Sequence, residues 1–556
     1  MHPPVITDDF NFQLEFVAGA AWRLMAMQDS DPLSPSFGCF HYAYWRDKTS
    51  EFPDARFQEA GAALALLSLP QFDGLRDAGR LGTADRLGHA FSAALRAWEN
   101  QQYAEGCWDE WYKGERGFAA TEFTMIAYGI AAMFLGEKMA TEDRRRLEEV
   151  MARAARWLAS RDDRVKSNHE AAAAAALAIA AKVTGIDEFR ADAQGKLADT
   201  LARQTEEGWF PEVGGMDLGY CFVLMDYLML YEWVTGDETP VPAMKRLLTF
   251  VLPHLHPDLS VAPDAGLCLN AYVGRLGLGL LSRFDGRAAA ILGALQAHTP
   301  GLDGVAPILA DDLRLARWSY LPATVHLLRE HFQMGDATTP PYPDGWTIHA
   351  DAAVAAYHGD DLHVYFAAAG GGSVRVFQGR TLVMEDGGFD LEDSGGKWTT
   401  RGYDRSRHLR AEDDGVTAEI AFGRPAYMFP GFLSRLILRL GSMSAWGSRL
   451  LRSAIDFMRL NRGSAANQSA APMASKSGGG PTLRRQVAVE NGHVCISDEI
   501  RSTGAARSTT VVPRLVLSGK GWSGKALYLD DSVLLVEKQW PSDDPADGVS
   551  LTWKNG

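Results

Sequence analysis

The stretch "GDATTPPYPDGWTIHADAAVAAY", residues 335–357, holds the break on which the reading of this chain turns. Pro340, Pro341 and Pro343 each remove a backbone donor, and Gly335 and Gly345 bracket them. Such a segment continues neither a helix nor a sheet ladder, so residues 336–345 read as a linker. Beyond it the hydrophobic period drops to two, the period of a strand. Before it, apolar residues recur at three- and four-residue spacing, with Ala and Leu dominant. That spacing predicts helices over 10–28, 54–68, 84–100, 119–136, 141–160, 168–184, 188–204, 217–235, 241–254, 265–282, 286–297 and 310–333.

About twelve helices joined by short Gly-, Asp- and Pro-bearing loops suggest a solenoid or its closed form, an α/α toroid, over residues 1–335. No repeat of fixed length is present. After the linker, "WTIHADAAVAAY", "DLHVYFAAA", "SVRVFQ", "VTAEIAF", "RRQVAVEN", "HVCISDEI", "TTVVPRLVL" and "SVLLVEK" read as strands. They predict an antiparallel β-sandwich over 346–556. Two segments interrupt it. Residues 424–462 carry seven Arg, one Asp and no Lys or Glu, interleaved with Leu, Ile, Phe, Met and Trp at helical spacing. Such a basic amphipathic segment reads either as an interfacial helix on anionic lipid or as a helical excursion packed on the protein's own surface. Residues 463–481 read as a low-complexity flexible loop.

A chain of 556 residues exceeds one core, and 46% hydrophobic with 22% charged residues is ordinary for a soluble protein. The net charge of −15 speaks against nucleic acid as a partner. It also means that an anionic ligand must be met by local basic groups. Cys39, Cys107, Cys221, Cys268 and Cys495 lie far apart without a C-x-x-C, which fits a reducing compartment better than a disulfide frame or a zinc site. The N-terminus lacks a basic region followed by an apolar run, and no stretch reaches the roughly 18 apolar residues of a spanning helix. A cytoplasmic location is expected, with peripheral contact at an anionic inner-membrane surface through 424–462.

Polar and aromatic residues gather in four segments that precede or open long apolar helices: 38–60, 108–123, "SNHE" at 167–170, and 206–233. In a toroid, alternate helices form the inner ring, so four such segments can converge on one cleft. Ser167 with Glu170 reads as a capping box, which would make Ser167 the N-cap. Asn168 and His169 would then lie in the first turn of an alanine-rich helix.

The third and fourth segments resemble the heparinase II/III-like polysaccharide lyases, a superfamily that includes toroid alginate lyases. The resemblance rests on Asn168–His169 at a helix start and on a "G-x-F-x-E-x-G…G-Y" loop some forty residues later. That loop is Gly208, Phe210, Glu212, Gly214 and Gly219–Tyr220 here. The order of toroid then sandwich also matches. The segments "GCFHYAYW" and "DEWYKGERGFAATEF" are similar to a bacterial subgroup associated with surface-polysaccharide loci.

The resemblance implies β-elimination on a uronic-acid-containing glycan. Such chemistry must neutralise the uronate carboxylate, remove the proton alpha to it, and protonate the departing oxygen. Asn168 would hydrogen-bond the carboxylate, helped by its helix N-terminus. His169 would act as base or assist neutralisation. Tyr220 would act as base if its pKa is depressed, and as acid toward the leaving oxygen. Arg116 would grip a second carboxylate, unless it is spent on a surface salt bridge with Glu115 or Glu110. Trp45, Trp111 and Trp209 would stack on sugar rings, unless they are simply buried. Glu212 would bind hydroxyls or orient His169, and Gly214, Gly215 and Gly219 would allow the turn that aims Tyr220. From the sandwich, Tyr403 and His408 are candidates to enter the cleft. The chemistry calls for neither metal nor cofactor.

Two other readings stay open. A glycoside hydrolase on the same scaffold would need two separated carboxylates, for which Asp109, Glu110, Glu115 and Glu212 are candidates. A non-catalytic factor in exopolysaccharide assembly would bind the glycan without turnover.

Overall fold

The computed structural model describes residues 11–268, 270–298, 311–335, 339–393, 396–404, 406–426, 431–462, 473–475, 481–490, 492–501, 509–517, 527–529, 533–540 and 549–554. Six helices form an inner ring: Glu59–Leu67, Phe118–Leu135, Ser167–Thr184, Leu218–Thr235, Arg275–Leu281 and Tyr320–Leu328. Each packs on the next, and the last returns to the first, so the ring closes. Ala84–Gln101, Thr141–Ala159, Glu188–Leu201, Val241–Val251, Gly286–His298 and Asn11–Met27 back them from outside. This is the expected α/α toroid.

Composition sorts the layers. Outer helices such as Ala84–Gln101 and Thr141–Ala159 bury one apolar stripe and leave charged faces in solvent. The inner helix Ser167–Thr184 is buried on all sides from Ser167 to Ala181, and its alanines let neighbours approach closely. Gly129 shows how closely: a Cβ there would lie 2.1 Å from Ile179 Cγ2.

Loops that open neighbouring inner helices bond to one another, Ala55 N–H to Asp109 O, Val213 N–H to Val165 O and Leu267 N–H to Met216 O, so they meet at one mouth of the ring. Some helices are shorter than their sequence patterns. Residues 265–282 keep a helix only over Arg275–Leu281, and 310–333 splits at Ser319 into Asp312–Trp318 and Tyr320–Leu328.

Two antiparallel sheets follow. The first runs, in spatial order, Gly345–His349, Val354–His358, Leu362–Ala367, Ser373–Gln378, Thr381–Asp393, Thr509–Leu517 and Leu527–Leu529, with Gly396–Thr399 beside Thr381–Asp393. The second runs Val549–Lys554, Val533–Trp540, His493–Arg501, Thr482–Glu490, Gly415–Ala421 and Leu409–Glu412. Their facing sides share one core that includes Phe366, Val376, Phe389, Ile420, Val487 and Ile496. This is the expected sandwich. The single strand read over 346–357 is two, because Ala353 takes a positive φ of 54° and turns the chain.

The basic segment folds as a helical hairpin, Phe432–Gly441 and Ala445–Arg462. Most of the low-complexity stretch 463–481 lies outside the described residues, as do residues 1–10. Met473–Ser475 pairs with Arg424–Ala426 at the hairpin's base, so that part is a strand and not a loop.

Candidate active site

The sequence places Asn168 and Glu212 forty-four residues apart, and the backbone stitches them together. Val213 N–H donates to Val165 O at 2.7 Å, and Ser167 N–H and Oγ both donate to Pro211 O, at 3.3 and 2.7 Å. Glu212 Oε1 then accepts from Asn168 N–H at 2.7 Å. The capping box therefore does not form. Lys166 is the N-cap residue without a side-chain cap, Ser167 is spent on Pro211, and Glu170 accepts from Asp163 N–H and pairs with Lys196. The helix start is capped instead by Glu212, a carboxylate brought in from the next loop.

Burial pushes the Glu212 carboxyl up to about 8, against the pull of the Asn168 N–H. At neutral pH it is a carboxylic acid and can donate. Its Oε2 is buried without a protein partner, as are both Oδ1 and Nδ2 of Asn168. Buried polar atoms left this way carry a desolvation cost, and they cluster where a ligand or water completes them.

His169 is buried, and its Nδ1 lies 3.1 Å from Asp163 Oδ2 and 3.7 Å from Glu122 Oε1. Asp163 is ionised: contact with His169, Arg452 and Lys166 holds its carboxyl below the usual range despite burial. Arg452 Nη2 reaches its Oδ2 at 3.0 Å, and the N–H groups of Val165 and Lys166 donate to its Oδ1. Glu122 is the opposite case, pushed well up by burial and by the Asp163 charge. Burial, with Lys166 nearby, pulls His169 down to about 4. The imidazole is thus neutral at pH 7. The nearness of Nδ1 to the ionised Asp163 favours the tautomer protonated there, which makes Nε2 the basic nitrogen.

Asp217 caps the next inner helix by accepting from Tyr220 N–H at 3.0 Å, and its other oxygen takes Cys268 N–H at 2.8 Å. That fixes Tyr220, which is half-buried. Burial pushes the phenol well above its ordinary range, helped by Cys268, Asp217 and Glu212. A depressed, basic Tyr220 is therefore corrected: at neutral pH it holds its proton and is suited to act as an acid. Gly219 packs where a Cβ would lie 2.4 Å from Asn270 O. Gly215 leaves room for Tyr403, whose ring would lie 2.7 Å from a Cβ there. Tyr403 Oη accepts from Met216 N–H at 2.9 Å, so the sandwich braces this loop. His408 is exposed.

Arg116, Trp45 and Trp209 are held by contacts of their own. Arg116 pairs with Glu105 at 3.3 Å, donates to Gly114 O, and contacts Ser448 Oγ of the hairpin at 3.3 Å. Its guanidinium is engaged in holding these elements. Trp209 is buried with its Nε1 on Glu207, and Trp45 is half-buried with its Nε1 on Met27 O, so both belong to packing. Trp111 is 59% exposed, with Arg317 over one face.

Of the four carboxylates proposed for hydrolysis, Asp109, Glu110 and Glu115 are engaged, and Glu212 alone stands at the candidate site with an unpartnered oxygen. Asp109 accepts from Tyr103, Gly114 and Arg116; Glu115 accepts from Glu110 and Trp111 N–H; Glu110 pairs with Arg317 at 2.9 Å.

Sequence reading missed Asp163, Glu122 and Arg56. Glu122 alone carried a signal, an acid inside the apolar run "FAATEFTMIAYG". Arg56 stacks over Phe123 at 4.2 Å, pairs with Glu59 at 2.6 Å, and is near enough to lower the Tyr220 phenol's shift. Phe123 in turn meets His169 edge-on at 5.7 Å.

No protein-family model matches the chain, and no curated protein sequence matches it. Among solved structures, the chondroitin AC lyase of Streptomyces coelicolor A3, determined with chondroitin sulphate, aligns with a TM-score of 0.52 at 12% identity. The match covers 92% of this chain and 69% of that one. Heparinase III aligns over 84% of this chain and 68% of its own, at 12% identity and a TM-score of 0.46. With a closed helical ring and a two-sheet sandwich aligned over 92% of its length, the chain shares the fold of the chondroitin AC lyase.

Proposed function

We propose that the protein is a polysaccharide lyase that cleaves a uronic-acid-containing glycan by β-elimination. One observation carries the reading. Three buried polar atoms of Asn168 and Glu212 lack protein partners, on the same toroid mouth as a neutral imidazole and a protonated phenol.

Each demand of the chemistry then has a group. The Asn168 amide and the Glu212 carboxylic acid donate to the uronate carboxylate and spread its charge. This makes the neighbouring C–H more acidic. His169 Nε2 takes that proton, and Asp163 stabilises the imidazolium that forms. Tyr220 gives its proton to the departing glycosidic oxygen, and Arg56 favours the phenolate left behind. With Asp109, Glu110 and Glu115 engaged by backbone groups and Arg317, only Glu212 of the four candidate carboxylates is left, and hydrolysis needs two, which favours elimination. Capsule or exopolysaccharide metabolism is the proposed setting.

Elimination leaves a double bond conjugated with the carboxylate, which absorbs ultraviolet light. A panel of acidic polysaccharides is incubated with the protein and followed by absorbance and by reducing ends. The expected result is absorbance rising with reducing ends on at least one glycan. Tyr220→Phe and His169→Ala should lower the rate about 10²–10⁴-fold, with circular dichroism unchanged. Reducing ends without absorbance would mean hydrolysis, and full activity in both variants would remove these residues from the mechanism.

A further inference from the structure

The hairpin Phe432–Arg462 has two faces with different tasks. Its inner face presses on the toroid mouth. Ser448 Oγ donates to Gly114 O at 2.5 Å, Arg452 pairs with Asp163 at 3.0 Å, and Gly114 packs so near that a Cβ would lie 2.4 Å from Ser442 O. Its outer face is bare. Of thirteen exposed large apolar side chains among the described residues, nine lie between Phe432 and Phe457. Phe432 is 83% exposed, Met443 79% and Trp446 71%. In the first helix, Phe432, Leu433, Leu436, Ile437 and Leu440 fall at three- and four-residue spacing on one side.

An apolar face of this size in water marks an interaction site. Charge selects its occupant. Arg435, Arg439 and Arg449 stand exposed beside the apolar residues, within a segment of seven Arg and one Asp on a chain of net charge −15. A second copy of an acidic protein offers a poorer match than a surface that is both anionic and apolar beneath. Helices of ten and eighteen residues with arginine in nearly every turn suit the plane of a bilayer surface and not its apolar span.

We propose that this hairpin docks the protein on an anionic lipid bilayer, with its apolar face in the headgroup–acyl boundary and its arginines on lipid phosphates. The docked surface lies back to back with the Arg452–Asp163 contact, so the candidate site faces the membrane side of the molecule. The lipid contact does not rest on the lyase reading, since it is measured without turnover.

The full chain is sedimented with vesicles of phosphatidylcholine alone and with added phosphatidylglycerol. Binding is expected only with phosphatidylglycerol, weakening as salt is raised. Phe432→Ser/Ile437→Ser/Trp446→Ser should lower the bound fraction more than tenfold. Arg435→Gln/Arg449→Gln should weaken it by about fivefold per arginine. These side chains are exposed, so folding is retained, and circular dichroism checks it. Equal binding to neutral vesicles, or unchanged binding in the apolar variant, would overturn the proposal. So would light scattering that shows a dimer dispersed by the apolar variant, which would assign the face to a second copy.

Discussion

At the scale of single residues, the site depends on two protons held where water would not hold them. Glu212 keeps its proton up to about pH 8 because it is buried, and His169 stays neutral down to about pH 4 for the same reason. If Glu212 works as an acid and His169 as a base, kcat/KM is bell-shaped. The acid limb falls as His169 protonates near pH 4, and the alkaline limb falls as Glu212 ionises near pH 8. Glu212→Gln keeps a donor and an acceptor beside Asn168 but cannot ionise. That variant should remain active and lose the alkaline limb while the acid limb stays. A limb that persists in Glu212→Gln would belong to another group. The pair Asn168–His169 and the Glu212–Tyr220 loop were legible because short polar motifs opening apolar helices stand out. Asp163 and Arg56 were not, because a partner that reaches a site through space leaves no mark at its own position. Which of the two roles expected of Tyr220 its surroundings favour was not legible for a related reason: sequence gives a phenol's identity but not the burial, nor the neighbouring Cys268, Asp217 and Glu212, that raise its pKa.

At the scale of elements, helix starts and sheet faces are set by groups from elsewhere in the chain. The helix at Ser167 reads locally as a capping box, yet Glu212 wins because the 211–215 loop binds 165–167 with its own backbone. The strand Thr381–Asp393 escaped notice because "EDGGFDLED" is dense in acids and glycine, with its apolar positions covered by the opposite sheet. Two tests belong here. Arg452 lies on the hairpin yet lowers both Asp163 and His169. Arg452→Ala removes a cation, so protonated His169 is disfavoured less and its pKa rises. The acid limb of the rate profile should move toward neutrality while the alkaline limb stays, and an unmoved acid limb would detach the hairpin from the dyad. Between the sheets, fully buried Arg485 bonds Asp498 at 2.6 and 2.7 Å, Asp386 at 3.0 Å and Gly372 O at 2.6 Å. Arg485→Met strands two carboxylates and should cost about 3–5 kcal/mol. Adding Asp386→Leu and Asp498→Leu should restore most of it, read as the denaturation midpoint. No recovery would mean that the ion cluster specifies the packing of the two sheets.

At the scale of the whole molecule, the order of toroid and sandwich was legible because the hydrophobic period drops from helical to two across three prolines, with 424–462 the one helical interruption after them. How the two domains meet was not, because their junction is built from scattered histidines. His254 Nε2 lies 2.8 Å from His349 Nδ1, His358 Nδ1 lies 2.9 Å from His363 Nδ1, and His358 Nε2 reaches Pro253 O at 2.8 Å. Burial lowers all four, His358 to about 4. In the toroid the shifts run the other way: burial raises Glu59 and Glu115 to about 7 and Glu212 to about 8. The two sets give stability opposite slopes. A lowered histidine lets the unfolded chain bind the extra proton, so stability falls as pH drops from about 6.5 toward 4. A raised carboxyl lets the unfolded chain release its proton first, so stability falls as pH climbs from about 4.5 toward 8. The melting temperature should therefore peak at about pH 5–6, where the windows overlap. His358→Gln keeps a donor for Pro253 O without the titration, so it should flatten the acid descent and leave the alkaline one. Glu212→Gln should do the reverse. A thermal-melt series in which either variant shifts both descents equally would show that the junction and the ring interior do not titrate as separate regions.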